Sequence, residues 1–179
     1  MNPAIFQVVG YQNSGKTTVI TKLISRLKDD GINTVSIKHH GHGGKPEVAG
    51  EKDSTKHIQA GALASIVEGG GALILHAESV PFSLEKHIKL MEHFQPEVIL
   101  IEGYKLENYP KLLLIKNRKD LPLVTVLTNV KLIIYWEKEF HEYIKQVTEI
   151  PSFQISDETA INWFVQSIKN SVHKNDEKS

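Results

Sequence analysis

Gly10-Tyr11-Gln12-Asn13-Ser14-Gly15-Lys16-Thr17-Thr18 decides how this chain is read. It matches G-x-x-x-x-G-K-[ST], and with glycine at about 7% of residues a chance match in a chain of this length falls below about 1%. The flanks sharpen it. Residues 5–9 before it are apolar at nearly every position, while Val19, Ile20, Leu23, Ile24 and Leu27 after it recur at helical spacing. Strand, glycine loop and helix in that order form a phosphate cradle: backbone N–H groups curl inward, and the positive end of the helix dipole points at the same place. All nine residues, Gly10, Tyr11, Gln12, Asn13, Ser14, Gly15, Lys16, Thr17 and Thr18, are therefore candidate nucleotide-binding residues. Lys16 reaches the β- and γ-phosphates as a point charge, and Thr17 offers its hydroxyl to Mg²⁺. The competing reading is a glycine-rich turn with a solvated lysine.

Outward from the loop, short Val- and Ile-rich runs at residues 34–38, 64–67, 72–75, 98–101, 112–115 and 123–127 read as further strands. Several lack polar alternation, as expected of parallel strands covered on both faces. Helical stretches separate them. The first ends near Gly31; a second follows Ser83 and stops before Pro96; a last one, capped by Asp157, carries Ala160, Ile161, Phe164, Val165 and Ile168. The expected fold is α/β of the P-loop NTPase type, a mostly parallel sheet with helices on both faces. One domain over residues 1–172 is expected, with a polar tail over 173–179 and the glycine-bearing residues 41–50 as a loop inside the domain.

The rest of the composition narrows the class. The 179 residues suit one domain with a substantial core, and 23% charged and 40% hydrophobic residues exclude disordered and fibrous classes. Lys+Arg equals Asp+Glu at 21 each, which argues against a nucleic-acid partner. The absence of cysteine removes disulfides, thiolate metal sites and thiol catalysis. No run approaches the roughly 20 apolar residues of a membrane span, and the first ten residues lack a secretory pattern, so the expectation is a cytoplasmic protein without a membrane partner.

Three further clusters bear on chemistry. Glu102 ends the apolar run 98–101 and precedes Gly103, where an acid on a strand beside the P-loop strand can face Mg²⁺ and act in catalysis; it can equally cap a buried strand. Asp53, before a short helix, reads either as a second acid facing Mg²⁺ or orienting water, or as a helix cap. His39, His40 and His42, beginning where the second strand ends, offer imidazoles to a phosphate, a pterin or a transition metal, or lie on a loop that orders on binding a ligand or partner. Base recognition is weaker. Thr128-Asn129-Val130-Lys131 after residues 123–127 resembles only the start of a guanine-reading N-K-x-D motif, so Asn129 is either a base contact or a turn residue. Only Arg26 and Arg118 are present, which points to slow intrinsic hydrolysis and too few phosphate clamps for a small-molecule kinase.

Taken together, G-Y-Q-N-S-G-K-T-T, K-H-H-G-H around residue 40, G-E-K-D-S-T-K-H-I-Q-A-G-A from Gly50 and I-E-G-Y-K at 101–105 resemble the MobB family over about residues 1–155. The resemblance implies a homodimeric GTP-binding P-loop protein, similar to signal-recognition-particle GTPases and MinD-like ATPases. Its implied role is an accessory of weak GTPase activity that assists a MobA-type guanylyltransferase in converting molybdopterin to molybdopterin-guanine dinucleotide. By position, Gly10 to Thr18 would hold GTP, Thr17, Asp53 and Glu102 would surround Mg²⁺, and the histidine loop would face nucleotide or molybdopterin. Binding or hydrolysis would order residues 41–50 and a surface for the transferase. A nucleotide-dependent metallochaperone using the histidine loop is the alternative.

Overall fold

A computed structural model describes residues 2–39, 53–78 and 82–176, with the side chains of residues 53, 54 and 176 left out. The chain forms two compact units, one from residues 1–41 with 88–179 and the other from residues 42–87.

The larger unit is built on six strands: β1 (Ala4–Val9), β2 (Thr34–Lys38), β5 (Val98–Glu102), β6 (Lys111–Ile115), β7 (Val130–Tyr135) and β8 (Ser152–Gln154). Their order is β2-β5-β1-β6-β7-β8, and every pairing is parallel. Parallel strands put all their C-terminal ends on one edge, so the loops after β1, β2, β5, β6, β7 and β8 gather there. Alternation along each strand feeds two cores. Leu112, Leu114, Leu132 and Ile134 face the core shared with α1 (Lys16–Asp29) and α6 (Thr159–Asp176), where Leu23, Leu27 and Phe164 are fully buried. Leu113, Ile115, Ile133 and Tyr135 face the other core, closed by α4 (Leu123–Val126) and α5 (Phe140–Val147). The expected α/β architecture, with helices on both faces of a parallel sheet, is what is found.

Caps behave as their side chains dictate. α1 ends in a Schellman arrangement in which the Gly31 amide donates to Lys28 O (2.9 Å) and the Ile32 amide to Leu27 O (2.9 Å). Asp157 Oδ1 accepts from the Thr159 amide at 2.9 Å and holds the start of α6. That helix runs to Asp176, four residues past Val172, where the polar tail was expected.

In the smaller unit, α2 (Asp53–Gln59) precedes β3 (Ala64–Gly69) and β4 (Ala72–Ala77). These two strands, expected in the parallel sheet, instead pair antiparallel with each other. The reason is Gly70-Gly71, both at positive φ, which makes the two-residue turn that a hairpin needs and a crossover does not. α3 (Leu84–Glu92) follows, with the Lys86 amide donating to Ser83 Oγ at 3.3 Å, the expected cap.

One strand expectation is corrected. Within residues 123–127, Leu123–Val126 form the short helix α4 behind Pro122, with Leu123 and Val124 buried, and Leu127 is already extended. The true strand comes next, Val130–Tyr135. A five-residue apolar run carries no period long enough to separate a buried helical turn from a strand, and Pro122 starts the turn with its fixed φ.

Candidate functional site

The P-loop joins the C-terminal end of β1 to the first residue of α1, Lys16. Its curl requires a bare backbone at Gly10, where φ is 153° and an added Cβ would lie 2.7 Å from Ser14 Oγ and 2.8 Å from Leu114 O. Asn13 and Gly15 also take positive φ. Ser14 Oγ is buried with no hydrogen-bond partner among the described residues, a donor left for something inside the loop. Such a backbone, with an unspent hydroxyl and the start of a 14-residue helix, fits a phosphate group.

Two side chains from neighbouring strands hold the loop from outside. Trp136, just after β7, donates its indole N–H to Ser14 O at 3.1 Å. Lys116, just after β6, donates to Asn13 O at 2.9 Å and lies 4.9 Å from the Trp136 ring centroid. These bonds tie the Asn13 and Ser14 carbonyls to the ends of β6 and β7.

Lys16 Nζ donates to Tyr11 O at 2.7 Å. Burial lowers its pKa, Glu102 pulls it back up, and the nearby Lys38 and Lys105 ammonium groups lower it further. A bound phosphate would replace the Tyr11 carbonyl and favour the charged form.

Glu102 stands at the end of β5, directly beside β1, in register with Val8. Thr17 Oγ1 lies 3.2 Å and 3.1 Å from its two carboxylate oxygens. The two residues predicted to share a metal are thus brought together by adjacent elements. Oxygen donors of this kind fit a hard cation such as Mg²⁺. Lys38, last in β2, places Nζ 3.2 Å from Thr17 Oγ1 and 3.5 Å from Glu102 Oε1, so an ammonium lies against the same two groups. Asp53 opens α2, but its side chain lies outside the described residues, and the same holds for His40 and His42. His39 is described. Its ring packs against Tyr104, centroids 4.4 Å apart, and its amide donates to Glu102 O at 2.9 Å. Among the described residues no cluster of three or more His, Cys, Asp or Glu could hold a metal.

The turn after Glu102 contains residues that the sequence did not single out. Gly103 approaches His39 so closely that a Cβ there would sit 3.2 Å from His39 Cβ. Gln7, fully buried on β1, donates to Gly103 O (3.1 Å) and Tyr104 O (2.7 Å) and fixes that turn. Lys105 then reaches over the Tyr11 ring at 4.3 Å. A polar Gln within the apolar run 5–9 was the available signal for Gln7; nothing local marked Lys116 or Trp136.

Of the two readings of Asn129, the turn residue is the one the structure favours. It precedes β7, so it lies at the N-terminal edge of the sheet, a strand length of about 20 Å from the P-loop edge. There it adopts φ 58°, its side chain donates to Asn108 O, and its carbonyl accepts from the Lys111 amide: it is a turn residue. Arg26 sits ten residues into α1, about 15 Å along the axis from Lys16.

Residues 5–136 match the family model MobB, "Molybdopterin guanine dinucleotide synthesis protein B". The chain belongs to the MobB family. A Bacillus subtilis (strain 168) relative, "Probable molybdopterin-guanine dinucleotide biosynthesis adapter protein", is 36% identical over 166 residues, covering 92% of this chain and 93% of that protein. The crystal structure of Bacillus subtilis MobB superposes with a TM-score of 0.75 at 36% identity over 92% of this chain and 97% of that one. A MobB homologue from Bacillus stearothermophilus gives 0.72 at 28% identity over 95% and 99%. The six-stranded sheet and P-loop edge of this MobB chain therefore sit within a fold already seen in its relatives. No helix among the described residues is long and apolar enough to cross a membrane.

Proposed function

We propose that this chain is a GTP- and Mg²⁺-binding adapter in the biosynthesis of molybdopterin-guanine dinucleotide. The observation that carries the nucleotide part is the meeting of Thr17 Oγ1 with the Glu102 carboxylate at 3.1 Å, at the end of the P-loop. Gly10 to Thr18 bind the phosphates, Lys16 neutralises them, and Thr17 and Glu102, with Asp53 as the third member, hold Mg²⁺. The ion, when bound, spreads the charge of the β- and γ-phosphates. Glu102 also orients an attacking water, and with only two arginines in the chain, Arg26 lying about 15 Å along α1 from Lys16, hydrolysis stays slow.

The adapter part rests on the names of the MobB relatives. The partner is a MobA-type guanylyltransferase acting on molybdopterin in the cytoplasm, and residues 41–50, outside the described residues, belong to the nucleotide-dependent contact. A homodimer belongs to the same reading: Ile66, Leu73 and Ile74 are half or more exposed on a two-stranded sheet whose strands pair only with each other among the described residues. The adapter role is tested by sedimentation of this chain with such a transferase. Association that strengthens with GTP and Mg²⁺, and dinucleotide formation that rises with it, is the expected result. A transferase whose binding and rate ignore this chain at every nucleotide state would contradict it.

A further inference from the structure

The sequence offers no base-reading motif at the correct sheet edge, yet the structure builds a cleft there. It lies beside the phosphate cradle, has a volume of about 230 Å³, and is lined by Asn13, Gly15 and Thr18 on one side and Trp136, Ile155 and Asp157 on the other. That volume is below the roughly 300–1,000 Å³ of sites for drug-sized ligands and suits a single ring system. The Ile155 amide donates to Tyr135 O at 2.8 Å and Gln154 Nε2 to Trp136 O at 3.3 Å, so the segment after β8 is tied to the end of β7. The Trp136 indole is fixed in turn by its bond to Ser14 O.

The cleft's lining is apolar and aromatic at Ile134, Trp136 and Ile155 and charged at Lys22, Asp157 and Glu158. Asp157 Oδ1 accepts from the Thr159 amide at 2.9 Å and the Thr159 hydroxyl at 2.6 Å, which orients the group and leaves Oδ2 without a hydrogen bond among the described residues. Those same bonds hold its pKa below the ordinary carboxylate value, so it is an anion at neutral pH. With Oδ1 taken by Thr159, Oδ2 keeps two lone pairs with which to accept a neighbouring pair of N–H groups. Guanine presents N1–H and an N2 amino group in that arrangement, whereas adenine sets an acceptor N1 beside its amino group and would face the carboxylate with a lone pair.

We propose that this cleft is the base site of the nucleotide held by the P-loop, and that Asp157 is the residue that selects guanine by accepting from N1–H and N2–H. This rests on the nucleotide reading given above and adds the specificity that the motif alone lacks. The glycine loop supplies affinity for any polyphosphate; the segment at residues 155–158 supplies the choice of base.

Asp157→Asn tests it, because an Asn side-chain oxygen still caps α6 and the fold is retained. Xanthine carries a carbonyl where guanine carries the 2-amino group, so the Asn amide complements it. Calorimetry should show GTP affinity falling by about tenfold or more, XTP affinity rising, and inorganic triphosphate binding unchanged. In a Trp163→Phe background, Trp136 is the single tryptophan left, and GTP should quench its fluorescence while inorganic triphosphate does not. An unaltered GTP-to-XTP ratio in a folded Asp157→Asn protein overturns the proposal while leaving the P-loop reading in place. Failure of the unmodified protein to bind any nucleotide or triphosphate overturns both. A pterin presents the same amino–oxo edge as guanine; quenching of Trp136 by a phosphate-free pterin but not by GTP would overturn the assignment to the nucleotide.

Discussion

Lys16, first in α1, donates to Tyr11 O within the glycine loop at 2.7 Å. Burial lowers its pKa from 10.5, with Lys38 and Lys105 adding to the shift against Glu102. Only the protonated amine pairs with phosphate, and the bound phosphate raises the pKa again. Affinity is therefore complete below the free-state pKa and falls as pH climbs through it, at lower pH than for an unperturbed lysine. Nucleotide titrations between neutral pH and about pH 10 should show that decline, and Lys16→Ala should remove it together with roughly ten- to a hundredfold of affinity. A pH-independent affinity would detach Lys16 from the phosphates. Glu102 makes a different prediction. Glu102→Gln keeps the hydrogen bond to Thr17 but loses the charge, so Mg²⁺ enhancement of GTP binding should drop by roughly 10–100-fold with metal-free binding little changed. Equal Mg²⁺ enhancement in both proteins would make Glu102 a strand cap. These residues were legible because motif spacing and a strand-ending acid are local signals. Gln7, Trp136 and Lys116 were not, since their roles come from strands 96 to 122 residues away in sequence.

At the level of elements, hydrophobic period located β1, β2, β5, β6 and α1 to within a residue or two: β1, β5 and β6 are almost uniformly buried, α1 is long, and β2, with only Ile37 buried, shows through its Val- and Ile-bearing run. It failed where two apolar runs are close together. Residues 123–127 and Val130–Tyr135 compete for one strand, and the sheet takes the second because Ile133, Ile134 and Tyr135 pair with β6 and then β8. That exchange moved Asn129 to the far edge of the sheet and dissolved the partial guanine motif. Lys111 shows the same edge at work: fully buried, it donates to Glu107 O and Thr128 O at 2.7 Å each and binds the loops there together. The β3–β4 hairpin was legible as two strands but not as a separate sheet, since its pairing depends on the turn at Gly70-Gly71. Its exposed apolar side chains make the dimer testable. Ile74→Glu, at a half-exposed position, should shift sedimentation from dimer to monomer with the circular dichroism spectrum retained. A variant that sediments like the unmodified chain would place the dimer contact elsewhere.

Across the whole molecule, zero net charge conceals a local concentration of cations, Lys16, Lys38 and Lys105, beside the glycine loop, with Glu102 set among them. The parallel sheet gathers these groups by bringing the loops after β1, β2 and β5 to a common edge, and the loops after β7 and β8 close the adjoining cleft. That convergence is a property of topology, which is why the sequence named several of the parts without their arrangement. The central claim is that this edge binds a guanine nucleotide with Mg²⁺, and the direct measurement is calorimetric titration of the purified chain with GTP and with ATP, each with and without Mg²⁺. GTP should bind at least about tenfold more tightly than ATP, and Mg²⁺ should strengthen GTP binding. Equal affinities for the two nucleotides, or GTP binding indifferent to Mg²⁺, would contradict the account.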